Sequence, residues 1–333
     1  MGILPSVRSM LAFAAQSLLR SASNAGSGEP ATPSGRLGAP RQDDYHASMP
    51  ELPEVETMCR GLAGVVGRRI VAATLPRGRV RPLSVRPAGA VLVRRLVGRT
   101  IAGVHRRGKR VVIEVTAAAA RPREWLVIEP RMTGQMLVVD PPTEEHVRLV
   151  VQLAGGAMNR FLFWDRRGLG TIRLVDDGGL EAACGAAKLG PDGLVVTGDD
   201  LATRLGRSRR AVKAALLDQR AVAGIGNIYA SEILHRVVIH PRTGCRRIRR
   251  GDWERIAAAT RRVLAEAVAL EGSSIGDETY RTADSRPGRA QKRHRVYDRE
   301  GKPCRRCRAP IARIVLAQRA TFFCPACQAR SAR

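Results

Sequence analysis

Apolar residues recur with two different periods along the chain, and the period changes near residue 180. Within residues 54–67 the apolar positions follow helical spacing, and they are Val55, Met58, Leu62, Val65 and Val66. Pro53 suits the first turn of a helix, and Glu54 suits the positive N-terminal end of the helix dipole. The pattern therefore predicts a helix that begins close to Pro53.

Short runs of β-forming residues follow this helix as far as residue 175. Turn formers such as Arg107-Gly108 and Thr133-Gly134 separate the runs. The runs cover residues 70–75, 99–105, 110–116, 124–129, 135–139, 146–153, 160–164 and 171–175. So many short strands in succession predict a β-sandwich or a barrel.

From residue 180 to residue 271 the apolar spacing is helical again. We expect the helix N-caps to be Asp199, Ser208 and Asp252, because short polar side chains satisfy free backbone N–H groups. Residues 272–294 are polar and rich in Gly, Ser and Arg, so we predict a mobile loop there.

Residues 1–48 share none of these patterns. Residues 21–48 are rich in Ser, Gly, Ala and Pro and lack an apolar period, which predicts disorder. Residues 5–20 are basic and contain no acid, as is typical of a targeting peptide. An over-long gene assignment with a true start at Met49 explains the same composition, and we favour it over targeting.

Composition and charge narrow the function. Hydrophobic residues make up 44% of the 333 residues, so we expect a folded core, divided over two or three domains. The chain has 57 Lys and Arg residues against 30 Asp and Glu residues, a formal net charge of +27. This excess favours a polyanionic partner, with nucleic acid ahead of an anionic membrane. The sequence contains no apolar run of about 18 residues, so we predict no membrane span.

The cysteines are concentrated near the C-terminus. Four of the seven form two C-x2-C pairs separated by 16 residues, and they are Cys304, Cys307, Cys324 and Cys327. Four thiolates at this spacing suit one tetrahedral structural Zn²⁺ in a reducing compartment. The segment between the pairs predicts a β-hairpin whose turn carries Gln318, Arg319 and Ala320. Because so short a ribbon has too small a core, the metal is expected to supply folding energy.

Four separated motifs together resemble the bacterial formamidopyrimidine-DNA glycosylases. The motifs are PELPEVET at 50–57, RRGK at 106–109, GIGNIYASEIL at 224–234 and QRATFFCPAC at 318–327. They occur in the family's order and span the chain from Met49 to about Gln328. The resemblance implies an α+β multidomain fold with an N-terminal β-sandwich and flanking helix, a helix–two-turn–helix domain and a C-terminal zinc ribbon.

Predicted domain boundaries follow from the patterns and the resemblance together. Residues 1–48 are a disordered extension or a mis-assigned start, and residues 49–179 form the catalytic β-sandwich domain. Residues 180–271 form the helix–two-turn–helix DNA-binding domain. Residues 272–294 are the mobile lesion-recognition loop, and residues 295–329 form the zinc ribbon.

The resemblance implies that Pro50 is the nucleophile, through the secondary amine of an N-terminal proline. An α-amino group has a pKa near ~8, so part of it is neutral at cellular pH. A proline inside a chain cannot attack in this way, because its nitrogen is an amide whose lone pair is delocalised. We therefore expect either translation to start at Met49, which is then removed, or a protease to cut after Met49.

Further catalytic and phosphate-binding roles are implied by the same resemblance. Glu51 is the general acid and base, and Glu54 supports the site. Lys109 in the RRGK turn reaches the pocket and the phosphates beside the lesion, although a solvated turn lysine fits its position too. Asn227 and Arg319 bind the same phosphates, and Asn227 also suits a simple helix N-cap.

A third group of residues is implied to contact the bases. A flipped nucleotide leaves a gap in the stack, which Met132, Arg167 and Leu169 are expected to fill or to read. By composition alone Met132 is equally compatible with a strand core. Leu169 stands where the family usually has Phe, and Arg286 stands where a lesion-contacting Lys is common. The base preference is therefore the least constrained inference, with 8-oxoguanine opposite cytosine and formamidopyrimidines as the default.

The predicted function is a base-excision-repair glycosylase that removes oxidised purines and cleaves the strand by β,δ-elimination. One alternative is an endonuclease VIII-like enzyme for oxidised pyrimidines, a branch that has Gly where this chain has Leu52. Another is a non-catalytic DNA-binding homologue that retains the N-terminal extension. We expect a monomer that binds double-stranded damaged DNA, carries one Zn²⁺, avoids membranes and works at the nucleoid in a bacterial cytoplasm.

Overall fold

A computed structural model of the protein describes residues 49–76, 81–117, 122–276 and 280–330. The extension predicted at residues 1–48 lies outside the described residues. Within the described ranges, no helix combines the length and the apolar character needed to cross a membrane.

The N-terminal part is a sandwich of two β-sheets and not a closed barrel. One sheet has four strands in the order β1-β7-β8-β6, and the other has five in the order β2-β9-β5-β4-β3. The strands are β1 (Ile70–Thr74), β2 (Ser84–Arg86), β3 (Thr100–Arg107), β4 (Arg110–Thr116), β5 (Glu124–Glu129), β6 (Gly134–Leu137), β7 (Val147–Leu153), β8 (Arg160–Asp165) and β9 (Thr171–Val175).

Helix α1 (Leu52–Gly61) flanks the sandwich and closes its core. Val55 and Met58 of α1 are fully buried in one cluster with Ile113 of the five-stranded sheet and Phe161 of the four-stranded sheet. Apolar side chains from three layers thus share one interior. This packing fixes the start of α1, and with it the residues that precede the helix.

Each predicted strand is present within about two residues, but two short elements were missed. Strand β2 is an edge strand of three residues whose only partly buried side chain is Val85. Helix α2 (Gly89–Leu96) buries only Leu92 and Leu96. Strand β2 is too short to show a period, and most apolar residues of α2 lie in one continuous run, residues 90–93, which does not distinguish a helix from a strand.

Five α-helices follow the sandwich in the part of the chain that the structure describes. They are α3 (Asp177–Cys184), α4 (Gly198–Leu205), α5 (Val212–Leu216), α6 (Asn227–Val237) and α7 (Arg250–Ala269). Helices α4 and α6 both pack against α7, around the fully buried side chains of Trp253 and Tyr229. The short α5 and the longer α6 are joined by two turns, which is the predicted helix–two-turn–helix arrangement.

The three predicted N-caps are wrong. Thr197 caps α4, because its hydroxyl accepts the N–H of Asp200 at 3.1 Å, so Asp199 lies inside the first turn. Ser208 precedes α5 without capping it, and Asp252 lies in the first turn of α7. A carboxylate within the first turn suits the helix dipole as well as a cap does, so composition alone does not separate the two positions.

The C-terminal ribbon is a hairpin of β10 (Ala312–Leu316) and β11 (Arg319–Phe323). Its turn consists of Ala317 and Gln318, with φ angles of 49° and 57°, and not of residues 318–320 as predicted. Both central residues of such a two-residue turn need positive φ, and Asn-Gly is the usual sequence for it. The absence of that dipeptide explains why the predicted turn was displaced.

The ribbon is anchored on α6 through Glu232, a buried glutamate of that helix. Its Oε1 accepts the backbone N–H groups of Arg295 at 3.0 Å, Val296 at 2.9 Å and Tyr297 at 2.9 Å. Tyr297 then packs edge-on against Phe322 of β11, with ring centroids 5.1 Å apart. The ribbon and the helical domain therefore share one core.

Replacing Glu232 with alanine tests this anchor. Glu232→Ala leaves three N–H groups, two of them buried, without their acceptor, so we expect the free energy of unfolding to fall by about 3 kcal/mol. Urea unfolding followed by tryptophan fluorescence measures the change. The control is Glu300→Ala, which removes a glutamate that is 57% exposed and should cost less than about 0.5 kcal/mol. Equal losses in the two variants would contradict the anchor.

Candidate active site and zinc centre

The carboxylate of Glu51 lies on the N-terminus of α6. Its Oε2 accepts the N–H of Gly226 at 2.7 Å, and its Oε1 accepts the N–H of Ile228 at 2.8 Å. The first N–H groups of a helix have no partner within the helix, and the dipole there favours negative charge. Glu51, which is 2% exposed, therefore joins the start of α1 to the helical domain.

The surroundings of Glu51 place its titration in the physiological range. Burial raises the pKa of Glu51 to about 7, although the positive charge of Lys109 and the N–H donors of α6 act in the opposite direction. The charge of Glu54 raises the pKa of Glu51 further. A carboxyl with a pKa close to the operating pH is suited to donate and accept protons in turn.

Two glycines of the GIGN sequence allow this close approach. A Cβ atom on Gly226 would lie 2.3 Å from Cδ of Glu51. Gly224 has a φ of +99°, and a Cβ atom there would lie 2.6 Å from Cβ of Leu52. The N–H of Leu52 donates to the carbonyl oxygen of Gly224 at 3.0 Å. The glycines thus let the backbone before α6 contact the backbone at the start of α1 directly.

Glu54 fixes the segment that carries Pro50. Its carboxylate accepts the N–H of Glu51 at 2.9 Å, the hydroxyl of Tyr229 at 2.6 Å and the N–H of Ser273 at 2.8 Å. Burial raises the pKa of Glu54, while these donors lower it. Pro50 is itself buried and immediately precedes Glu51. The structure therefore places the predicted nucleophile beside both predicted acids.

Lys109 lies in the turn between β3 and β4 and is half-buried. Burial lowers the pKa of its ammonium group, the charge of Glu51 raises it, and the charge of Arg319 lowers it. Lys109 is thus within electrostatic range of the acid of α1 and of the first residue of β11. The sandwich, α1 and the ribbon converge on it.

Asn227 is the first residue of α6 and is held by a buried lysine that the sequence analysis missed. Nζ of Lys213, a residue of α5, donates to Oδ1 of Asn227 at 2.6 Å. The same ammonium donates to Oγ1 of Thr321 at 2.7 Å and to the carbonyl oxygen of Ala320 at 3.0 Å. Both ribbon residues directly follow Arg319, so one ammonium connects α5, α6 and the hairpin.

The chemistry of Lys213 determines how the Asn227 amide is oriented. The charged form of Lys213 has only donors, so Asn227 presents its oxygen to it and turns its NH2 group elsewhere. Lys213 is 1% exposed, and burial lowers the pKa of Lys213 to about 7. A lysine within the apolar run AVKAALL was the available sequence clue. Its two ribbon partners lie more than 100 residues away, and no local pattern reveals them.

Met132 and Arg167 meet at the ends of two loops of the sandwich. Nη1 of Arg167 lies 3.5 Å from the sulfur of Met132, and the backbone N–H of Arg167 donates to Oγ1 of Thr133 at 2.9 Å. Asp165 supports both loops, because its carboxylate accepts the hydroxyl of Thr133 at 2.5 Å and the N–H of Gly170 at 2.8 Å. The structure therefore brings these predicted base-contacting residues together.

Leu169 lies in the same loop and is half-buried. Its neighbour Gly168 has a φ of +60°, and a Cβ atom there would lie 2.7 Å from the carbonyl oxygen of Arg81. The loop as folded therefore requires glycine at residue 168. Stacking on a base by Leu169 stays a prediction.

Arg286 lies in the predicted lesion-recognition loop. Its guanidinium donates to Asp284 at 2.6 Å and to Glu271 at 3.2 Å. The two ends of the loop are joined by a hydrogen bond of 2.8 Å from the N–H of Ala290 to the carbonyl oxygen of Gly272. Residues 277–279 of this loop lie outside the described residues, and its mobility stays a prediction.

The four paired cysteines form a compact cluster. Their sulfur atoms lie within 4.8 Å of one another and belong to Cys304, Cys307, Cys324 and Cys327. Cys304 and Cys324 are buried and accept backbone N–H groups from Arg306 and Cys327, each at 3.4 Å. Four thiolates at this separation fit tetrahedral Zn²⁺ with no open coordination position, as in a structural site.

Three protein-family models match the chain in succession. The N-terminal domain of formamidopyrimidine-DNA glycosylase matches residues 49–172, and the H2TH domain of the same enzyme matches residues 189–279. A zinc finger found in FPG and IleRS matches residues 301–330. The four cysteines lie within that last match, and they hold a single structural zinc.

Relatives cover the same part of the chain. Formamidopyrimidine-DNA glycosylase of Chloroflexus aurantiacus is 40% identical over 285 residues, which is 84% of this chain and 98% of the relative. The enzyme of the same name from Solibacter usitatus is 38% identical over 284 residues, which is 85% of this chain and 100% of the relative.

Solved structures agree in fold. The MutM (Fpg) protein of Thermus thermophilus has a TM-score of 0.73 at 37% identity, covering 85% of this chain and 100% of its own. Lactococcus lactis Fpg in complex with DNA containing an abasic site has a TM-score of 0.73 at 31% identity, covering 84% and 100%. Another complex of the L. lactis protein, with DNA containing an oxidised pyrimidine, has a TM-score of 0.72 at 30% identity, covering 84% and 100%.

Removal of one zinc ligand tests the metal centre. Cys324→Ser replaces a buried thiolate, so we expect the zinc content to fall from one per chain to near zero and the ribbon to become sensitive to protease. Atomic absorption measures the metal, and limited proteolysis measures the ribbon. The control Cys245→Ser alters a buried cysteine outside the cluster and should retain zinc. Full zinc content in Cys324→Ser would contradict the assignment.

The pKa of Glu51 makes stability depend on pH with a defined sign. Its pKa rises from 4.5 to about 7 on folding, so between these values the folded state retains a proton that the unfolded state has lost. The resulting stabilisation is complete below pH 4.5 and is lost as the pH rises through 7. From about pH 5.5 to pH 8, the free energy of unfolding should fall by about 2 kcal/mol more in the unmodified protein than in Glu51→Gln.

Urea unfolding at several pH values measures this difference. The control Glu56→Gln removes a carboxyl of the same helix that pairs with Arg60 and Arg106 instead of with α6. It should keep the pH dependence of the unmodified protein. Parallel curves for the unmodified protein and Glu51→Gln would show that the carboxyl titrates normally and would overturn the electrostatic description of the site.

Proposed function

The chain belongs to the formamidopyrimidine-DNA glycosylase family, and we propose that it excises oxidised purines from duplex DNA and then cleaves the strand. It is a DNA glycosylase of DNA repair. The main support for base excision followed by strand cleavage is the buried Glu51 carboxyl, which has a pKa of about 7 and lies next to residue 50. A nucleophile and a proton-transferring acid thus occupy consecutive positions of the chain.

Pro50 performs the attack once its nitrogen is a free secondary amine. The amine forms a bond to C1′ of the damaged nucleotide, and the glycosidic bond breaks as the base leaves. The resulting iminium withdraws electrons from the sugar, so a 2′ proton becomes acidic and the 3′ phosphate departs by β-elimination. The 5′ phosphate departs in a second elimination. Covalent catalysis thereby divides one difficult step into easier ones.

Glu51 supplies the protons for this sequence. Its protonated form donates to the sugar ring oxygen as the base leaves, and its ionised form then accepts a proton in the elimination. Both forms are populated near pH 7 because the pKa of Glu51 is about 7. The N–H groups of Gly226 and Ile228 hold the carboxylate in place, so little reorganisation accompanies the transfer.

Three side chains from separate elements bind the phosphates beside the flipped nucleotide. Lys109 comes from the β3–β4 turn, Asn227 from the start of α6 and Arg319 from the start of β11. Lys213 orients the amide of Asn227 through the hydrogen bond of 2.6 Å. Met132, Arg167 and Leu169 occupy the vacated stack, and the loop with Arg286 contacts the extruded base. The protein acts as a monomer on the DNA of a bacterial cell.

The proposal requires that nothing precede Pro50 in the active protein. With Met49 attached, the nitrogen of Pro50 is an amide and lacks the electron pair for attack. The match to the family's N-terminal domain begins at residue 49, which supports a start or a cleavage at this point. A chain that retains residues 1–49 would bind DNA without cutting it.

A second candidate substrate is an oxidised pyrimidine. The solved complex of L. lactis Fpg with DNA containing an oxidised pyrimidine favours it. The loop at 272–294, which carries Arg286, helps to select the base, and Arg286 departs from the family's usual lysine. The same covalent mechanism serves either substrate.

Borohydride trapping tests the proposed chemistry. Protein that begins at Pro50 should form a covalent adduct with a duplex carrying 8-oxoguanine opposite cytosine, because borohydride reduces the iminium to a stable amine. Protein that retains residues 1–49 should form none. Glu51→Gln should slow adduct formation on the damaged base by about 100-fold or more, yet affect a preformed abasic site less, since no base has to leave there.

Glu56→Gln is the matched control for Glu51→Gln and should trap DNA at the unmodified rate. A panel of duplexes with oxidised purines or oxidised pyrimidines then ranks the substrates. Faster excision of the pyrimidines would replace the first candidate by the second. Equal trapping by the extended and the processed chains would overturn the role of Pro50.

A further inference from the structure

A continuous chain of buried hydrogen bonds connects Glu54 to a histidine that has no role in the chemistry described so far. The hydroxyl of Tyr229 lies 2.6 Å from Oε1 of Glu54 and 3.2 Å from Oγ of Ser273. Oγ of Ser273 lies 3.0 Å from Nε2 of His294. The four side chains are 2%, 1%, 1% and 6% exposed in the order Glu54, Tyr229, Ser273, His294.

The number of protons in this chain fixes the direction of each bond. An ionised Glu54 only accepts, so the single hydroxyl proton of Tyr229 points to it. The oxygen of Tyr229 must then accept the proton of Ser273, whose own oxygen must accept from His294. Nε2 of His294 therefore carries a proton whenever Glu54 is ionised.

If each proton moves by one position, every hydrogen bond of this chain changes direction and nothing else changes. Nε2 of a protonated His294 gives its proton to Ser273, Ser273 gives its own to Tyr229, and Tyr229 gives its own to Glu54. The charged pair of imidazolium and carboxylate becomes a neutral pair of imidazole and carboxylic acid. Each hydroxyl loses one proton and gains another, so the number of protons and the total charge stay the same.

We propose that His294 is a positioning residue that exchanges a proton with Glu54 through Tyr229 and Ser273, and that it thereby sets the charge beside the catalytic acid. This inference rests on the proposed function, because the charge of Glu54 affects catalysis only if Glu51 is the catalytic acid. His294 itself does not touch the substrate.

The electrostatic environment brings the two ends of the chain closer in proton affinity. Burial raises the pKa of Glu54 and lowers the pKa of His294. Glu232 of α6 and Asp298 raise the pKa of His294, whereas Arg305 of the ribbon lowers it. Burial thus moves the pKa values of the two groups toward each other, which is the direction that a shared proton needs.

The charge on Glu54 has a direct consequence for Glu51. A negative Glu54 raises the pKa of Glu51. His294 donates into the chain and so favours ionised Glu54, which keeps Glu51 protonated at higher pH. Ser273 and His294 lie at opposite ends of the predicted lesion-recognition loop, residues 272–294. The hydrogen-bond chain therefore connects both ends of that loop to Glu54.

Single-turnover base removal measured against pH tests this role, in variants expressed in the native host so that N-terminal processing is undisturbed. We expect His294→Leu to lower the rate at neutral pH by about 5-fold, the usual effect of losing one hydrogen bond. Its alkaline limb should move to lower pH, because Glu54 is more often neutral and Glu51 loses its proton sooner. His294→Gln still donates an N–H to Ser273 but cannot exchange a proton, so it should stay nearly as slow as His294→Leu, and recovery to within about 2-fold would overturn the exchange.

Removing the Ser273 hydroxyl from the middle of the hydrogen-bond chain shows whether this chain transmits the effect of His294 on the rate. Ser273→Ala removes the hydroxyl and keeps the backbone N–H that binds Glu54, so it should lower the rate as His294→Leu does. The double variant should be no slower than either single variant, because the two changes interrupt one path. His146→Gln alters a histidine beside Trp164, in the sandwich, and serves as control. Effects that multiply in the double variant would overturn the proposal, as would a rate and alkaline limb in His294→Leu equal to those of the unmodified protein.

A readout without DNA separates this inference from the proposed function. With ring nitrogen-15 labelling of histidine, Glu54→Gln should shift the NMR signals of His294, because the two groups share the chain's protons. Glu56→Gln should leave them in place. Unchanged His294 signals in Glu54→Gln would overturn the chain. If the unmodified protein cleaves no oxidised DNA while these shifts are seen, the proposed function fails and the proton chain stands.

Discussion

The contact on which the rest of the structure depends is the carboxylate of Glu51 against the N-terminus of α6. A buried carboxylate is costly unless several donors meet it, and here the N–H groups of Gly226 and Ile228 supply them. The contact explains why the sequence before α6 is rich in glycine, since a side chain at Gly226 would displace Glu51. It also fixes where the sandwich and the helical domain meet, and residue 50 lies at that junction.

Ionisable groups of both signs are concentrated around this junction. Glu51 is the N-cap of α1 and Glu54 lies in its first turn, whereas Lys109 comes from the sandwich and Lys213 from α5. Burial moves the pKa values of the acids upward and those of the lysines downward, so all four approach the physiological range. Clusters of this kind are typical of functional sites.

The zinc ribbon also contributes a charge to this site, although it is the smallest part of the fold. Its zinc replaces the core that a short hairpin lacks, and Glu232 attaches it to α6. Arg319 then lies within electrostatic range of Lys109, and Lys213 binds the two residues that follow Arg319. The metal therefore acts at a distance, by holding the hairpin that places Arg319 near Lys109.

The parts of the fold and site that could be predicted are those determined by residues that lie close together in the sequence. Strands such as β4 and β7 follow from their apolar runs, the zinc ligands from their spacing, and Glu51 from its motif. Lys213 and His294 could not be found in this way. Lys213 meets Thr321 across 108 residues. His294 contacts Ser273, which follows α7, and reaches Tyr229 of α6 only through that serine. Such contacts depend on how elements pack, which no short segment specifies.

Peptide mapping by mass spectrometry of the reduced protein–DNA complex, formed by protein purified from its native cells, is the most direct measurement. The account predicts that the sugar remnant is attached to the nitrogen of Pro50 and that Pro50 is the first residue of the modified peptide. A remnant on Lys109 or another lysine, or on a chain that still carries residues 1–49, would contradict it.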